Sequence, residues 1–100
     1  MDKYAVKLYS RAIRDLDQIY SYISTDLLAP DAAADTVDMI EQAIFSLEEA
    51  PERGSQRKTG AFAHLGYRQI FAGNYVIIYK VLRDKKEVHI VTVRYVKSHF

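Results

Sequence analysis

Residues 65–100 read LGYRQIFAGNYVIIYKVLRDKKEVHIVTVRYVKSHF. Three segments within it, 65–71, 75–82 and 87–95, are dense in β-branched and aromatic residues. Ala72-Gly73-Asn74 and Arg83-Asp84-Lys85-Lys86 separate them. Turn-forming residues between runs of that kind predict two consecutive hairpins, and so three antiparallel strands. Parity along the first of them sets Gly66, Arg68 and Ile70 on one face and Leu65, Tyr67 and Phe71 on the other. It does not say which face is covered.

Upstream, Tyr4, Val6 and Leu8 alternate with Ala5, Lys7 and Tyr9, which predicts a further strand over 3–9. Ser10 is suited to cap a helix start with its hydroxyl. Ala12, Leu16, Ile19, Ile23 and Leu27 then recur at three- and four-residue steps, with Arg11, Arg14, Asp15 and Asp17 across from them. That pattern predicts an amphipathic helix over 11–27. Pro30 interrupts it and fits the first turn of a second helix, where its missing N–H costs nothing. The stripe Ala33, Val37, Ile40, Ile44 and Leu47 continues to Pro51. The short link makes the two helices an antiparallel hairpin. Residues 51–64 form the longest irregular segment and carry Arg53, Arg57 and Lys58. The order β-α-α-β-β-β is an α+β class: an antiparallel sheet with an N-terminal helical hairpin packed on one face.

One hundred residues make one domain spanning 1–100. There is no cysteine, so disulfides and thiolate metal sites are excluded, and a reducing cytoplasm is the expected setting. No apolar run approaches the roughly 20 residues of a membrane helix, and no membrane partner is expected. The net charge of +1 hides three blocks: +3 over 1–14, −10 over 15–52 and +8 over 53–100. Segregation on that scale sets a field that draws polyanions to one side of the molecule. Mutual neutralisation of an acidic helical layer and a basic sheet explains the same blocks.

His64, His89 and His99 are dispersed, so no metal and no cofactor is expected. The four glycines open no phosphate-binding helix. Phosphodiester cleavage by a 2′-hydroxyl is better served. It needs a base, an acid and cations to hold the developing charge. Arg68, Arg94, Tyr95 and His99 are of the right types, with Arg57, Lys58 and Lys97 as phosphate-binding candidates. Each also has an ordinary reading: a strand-flanking arginine, an edge aromatic, a tail histidine.

The whole pattern resembles the RelE/ParE superfamily of toxins from bacterial type II toxin–antitoxin systems. YAVKLYSRAIRDLDQIYSYI is similar to the family's first strand and helix, and Pro51 to Gly54 to its Pro-x-x-Gly turn. LGYRQIFAGNYVIIYKV and VHIVTVRYVKSHF resemble its Gly-Tyr-Arg strand, Ile-Tyr hairpin and terminal arginine-aromatic segment. The resemblance implies a growth-arresting toxin held by a cognate antitoxin, working in one of two ways. The RelE-like branch cuts mRNA on the ribosome without a metal; the ParE-like branch inhibits DNA gyrase by binding and is not an enzyme. Arg68 would match the family's arginine after Gly-Tyr and Arg94 the one in its last strand, with Tyr95 or His99 standing where the first branch places its terminal acid or base. The basic C-terminal half inclines the reading to the ribonuclease. The long helical hairpin and the absence of a lysine cluster ahead of Arg68 speak for the gyrase inhibitor. A non-toxic binding module is the third possibility.

Overall fold

The computed structural model describes residues 3–98. Its elements follow the expected order with one addition. Strand β1 (Ala5–Leu8) leads into helix α1 (Ser10–Ser21), which widens into a π-type turn over Tyr22–Asp26. Helix α2 (Pro30–Phe45) tightens into a 3-10 turn over Ser46–Glu48. Then come β2 (Ser55–Gln56), β3 (Arg68–Ala72), β4 (Tyr75–Leu82) and β5 (Glu87–Tyr95). Pro30 occupies the first turn of α2, as its geometry dictates. Ser10 is already inside α1 and makes no cap; Tyr9 precedes the helix without a side-chain capping bond.

The sheet order is β1-β5-β4-β3-β2. The hairpins β3–β4 and β4–β5 are antiparallel, as their turns require. Two pairings lie outside the expectation. β2, only two polar residues long, adds itself antiparallel to the edge of β3. β1 lies parallel to β5, with Val6 beside Val88 and Leu8 beside Ile90. The helical connection between β1 and the rest is long enough for a parallel neighbour, which a tight turn never is. β5, the last strand, is therefore interior to the sheet.

One face of this sheet meets the helices. Ala12, Ile40, Ile44 and Leu47 pack on Ile70, Ala72, Ile77, Tyr79, Val88, Ile90 and Val93, which form one buried cluster. Each of the large aliphatic side chains in it stabilises the fold by about 1.5–3 kcal/mol. Ala12 has no bulk, so α1 lies close over the sheet. The hydrophobic stripe of the first helix extends further in sequence than in space, because Leu27 is 55% exposed. A register shift between Ile78 and Tyr79 leaves Val91 as an extra residue in β5, so Thr92 and Arg94 lie on the face away from the main cluster.

Candidate functional site

Arg68 opens β3 directly opposite Tyr79 and shares the helix-side face with Ile70 and Ala72. Its Nη2 donates to the Glu52 carbonyl at 3.3 Å, and its Nε is buried with no partner. Gly54 lies close by and donates its N–H to the Tyr79 hydroxyl at 3.0 Å. Arg83 forms an ion pair with the Glu52 carboxylate. Arg68 therefore sits where the 49–54 turn closes over the end of the core.

Arg94 is placed differently. It is opposite Val76 in β4, on the outer face. Its Nε donates to the Thr92 hydroxyl at 3.1 Å. Thr92 in turn donates to the Asp15 carboxylate of α1, which also accepts the Val93 N–H at 3.0 Å. β1 stops at Leu8, beside Ile90, so the next stretch of β5 has no strand on that side. Asp15 supplies the missing acceptor to that edge. Arg68 and Arg94 are thus two strands apart, three positions apart along β4, and on opposite faces. From sheet spacings their Cα atoms are roughly 14 Å apart.

Tyr95 closes β5 on the face opposite Arg94, its ring 5.7 Å from that of Tyr75. Burial pushes the Tyr75 hydroxyl above its ordinary range, and the neighbouring Tyr95 and Tyr22 hydroxyls add to this. His99 lies outside the described residues. Lys97 is exposed in a terminal turn, where Val96 donates to the Asn74 carbonyl and Ser98 to that of Tyr95. Arg57 braces the long loop: its Nε donates to the Ala61 carbonyl at 3.0 Å and its Nη1 to Gln69 Oε1 at 2.9 Å. Lys58 beside it is exposed. The candidates therefore fall in several places. No three His, Cys, Asp or Glu side chains among the described residues form a metal-binding group. No helix there is long and apolar enough to cross a membrane.

The sequence reading missed a polar chain on the outer face where β1 meets β5. Lys7 pairs with Glu87 at 2.8 Å, Glu87 meets His89 Nε2 at 2.9 Å, and His89 Nδ1 meets the Tyr9 hydroxyl at 2.9 Å. Parity sets Glu87 with His89, but only the parallel pairing of β1 brings Lys7 and Tyr9 to them. Hydrogen bonds from Lys7 and then His89 lower the Glu87 carboxyl to about 2. A carboxyl depressed on folding contributes stability that is present above its unfolded value near 4.5 and is lost as pH falls towards 2. In urea titrations at pH 5, 3.5 and 2, Glu87→Gln is therefore expected to flatten the acid-side loss of stability across that window. An unchanged profile would separate the chain from acid stability.

A cleft of about 640 Å³ opens between the C-terminal half of α1, the turn after it and the Tyr75–Tyr95 end of the sheet. Arg94 and Tyr95 both reach it, as do Asp15, Gln18 and Tyr22.

Comparisons with known proteins agree with this architecture. The family described as "ParE toxin of type II toxin-antitoxin system, parDE" matches residues 6–99. "Putative toxin Y4kP" of Sinorhizobium fredii (strain NBRC 101917 / NGR234) is 36% identical over 93 residues, covering 93% of this chain and 88% of that one. Among solved structures, the chromosomal ParDE system of P. aeruginosa superposes with a TM-score of 0.77 at 23% identity, over 95% of this chain and 98% of that one. The RelBE2 toxin–antitoxin complex of Mycobacterium tuberculosis gives 0.66 at 23% identity, over 95% and 93%. At those identities the two structures speak for the fold.

Proposed function

This chain belongs to the ParE family of toxins from type II toxin–antitoxin systems, and from that premise we propose that it arrests bacterial growth by binding DNA gyrase rather than by cutting mRNA. One observation carries the choice. Cleavage through a 2′-hydroxyl requires proton-transfer groups and cations within reach of a single phosphate, since misplacement of even 1 Å costs about 10²-fold in rate. Arg68 and Arg94 face opposite sides of the sheet, so Arg94 and Tyr95 reach the cleft beside α1 without Arg68. Among the described residues no acid–base pair shares a site with both arginines. That separation supports the binding mode over the ribonuclease to which the basic C-terminal half inclines the reading. Inhibition by binding asks only for complementary surface. A cognate antitoxin is the partner that holds the toxin inactive.

Purified full-length chain added to gyrase and relaxed plasmid is expected to suppress ATP-dependent supercoiling. In a parallel translation reaction, ribosome-bound mRNA is expected to stay intact. Normal supercoiling together with codon-linked cuts in the transcript would overturn the proposal in favour of the ribonuclease.

A further inference from the structure

The polar chain on the outer face where β1 meets β5 has a direction. Lys7 pairs with one oxygen of Glu87, Oε2, and the other, Oε1, meets His89 Nε2 at 2.9 Å. A carboxyl held at about 2 is ionised at neutral pH and only accepts hydrogen bonds. Nε2 of His89 must therefore carry a proton and donate it. In the neutral imidazole that leaves Nδ1 with its lone pair, so the Tyr9 hydroxyl 2.9 Å away donates to it. Carboxylate, imidazole and hydroxyl stand in line, each fixing the role of the next.

A weak hydroxyl nucleophile is activated in this way, by a base that a third group orients. The imidazole is placed to take the proton as the oxygen attacks, and the carboxylate holds ring and tautomer. The Tyr9 and His89 rings also meet edge to face, 5.4 Å between centroids, which steadies the pair. Exposure is graded to match. The His89 and Glu87 side chains are 17% and 19% exposed, whereas Tyr9 is 42% exposed and within reach of an incoming group. The other charged group facing the ring is Lys80 of β4, opposite His89, with its ammonium over the Tyr67 ring. Phosphoryl transfer leans on cations at the moving group, and Lys7 is already held by Glu87. Acyl transfer to a hydroxyl asks first for the base.

We infer that Tyr9 is a nucleophilic acyl-acceptor site, with His89 as its general base and Glu87 as the residue that positions His89, and that it takes the acyl group of an activated ester. In the step, the Tyr9 oxygen bonds to the acyl carbonyl carbon and its proton passes to His89 Nδ1. The bond from that carbon to the leaving oxygen breaks and releases the oxide. The product is an O-acyl tyrosine, and His89 returns its proton to water. The site does not rest on the gyrase reading, and the supercoiling assay reports on that separately.

The test treats the full-length chain with p-nitrophenyl acetate and maps acetyl groups on its peptides by tandem mass spectrometry. Tyr20 is the internal reference, because it is exposed to the same 42% and has no hydrogen-bond partner among the described residues. General-base assistance is worth about 10²–10⁴-fold, so Tyr9 is expected to acetylate at least about a hundredfold faster than Tyr20. Hydroxylamine should then remove the acetyl group, as it does from a phenolic ester and not from an amide. The rate at Tyr9 is expected to rise with pH as His89 loses its proton and then to level off, while that at Tyr20 climbs on with its own ionisation. His89→Gln should bring Tyr9 down to the rate of Tyr20. Glu87→Gln should lower it about tenfold or more, because the ring is then free to take the wrong tautomer. Circular dichroism melts verify that each variant folds. Equal rates at Tyr9 and Tyr20 in the parent would overturn the inference without any variant. So would an unchanged rate in folded His89→Gln, or acetyl groups that sit on Lys7 in place of Tyr9 and resist hydroxylamine.

Discussion

Gly54→Ala is expected to destabilise the protein by about 2–4 kcal/mol, a fall in Tm of roughly 10–25 °C for a domain of this size. Gly54 is buried at the end of the turn that follows α2. A Cβ there would stand 2.6 Å from the Tyr79 hydroxyl and 2.8 Å from Ile70 Cγ2, and would collide with the Gln69 carbonyl oxygen. None of these neighbours has room to move. Gln69 is held between Ser55 on one side and Ile78 on the other. Tyr79 is fully buried in the core cluster and Ile70 nearly so. The backbone of residue 54 must therefore shift, and its N–H then leaves the Tyr79 hydroxyl unsatisfied in the interior. Overpacking alone costs about 1–3 kcal/mol, and an orphaned buried hydroxyl about as much. Tyr79→Phe removes the hydroxyl without the collision, so it is expected to cost only about 1 kcal/mol. Denaturation midpoints of the two variants decide the matter. A Gly54→Ala protein as stable as Tyr79→Phe would show that the close approach is not a constraint.

The second large effect is expected at Asp15. Its carboxylate serves a hydroxyl and a main-chain N–H that are both buried, on Thr92 and Val93. Asp15→Ala removes the one oxygen, Oδ2, that accepts from both and is expected to cost about 2–4 kcal/mol, because each buried donor then bears its desolvation alone. Asp15→Asn keeps an amide oxygen at that place for both donors and loses only the negative charge, so it should lose about half as much. Hydrogen exchange at the Val93 amide reads the same contact locally. Its protection is expected to fall in Asp15→Ala by more than at Ile77, one strand further in. Equal stability of the alanine variant and the parent would mean that water replaces the carboxylate at this edge.

How far the sequence could be read depends on the range of the interaction concerned. The stripe Ala33, Ile40, Ile44 and Leu47 is a local pattern of period 3.6, and all four residues are buried. The two hairpins are local as well. Gly73, with φ of 57°, supplies the left-handed backbone that the first turn needs. Strand β2 escaped because two polar residues in a loop give no period, and it exists only through its pairing with Gln69 and Arg68. The long loop likewise takes left-handed backbone at Phe62 and His64, residue types that do not announce it. The site was less legible than the fold. Residue type nominated Arg68 and Arg94, but their separation rests on sheet face and register, which a single sequence does not reveal. Asp15 looked like one more acidic residue on a polar helix face. Its role emerges only once β1 stops short and leaves β5 an open edge. The Lys7–Glu87–His89–Tyr9 chain depended in the same way on the parallel pairing of distant segments.

That parallel pairing also has a temporal side. Residue 5 finds its partner at residue 87, and β4 finds its second neighbour only in β5. A chain emerging from the ribosome from its N-terminus can form the helical hairpin early, since those contacts are short in sequence. It cannot complete the sheet until residue 95 has been added, because the interior strand β5 follows all the other strands in the sequence. The folding transition must close the longest loop in the chain, which places this topology among the slower folders for its length. The order of synthesis itself thus imposes an interval in which the helical hairpin exists but the sheet it packs on does not.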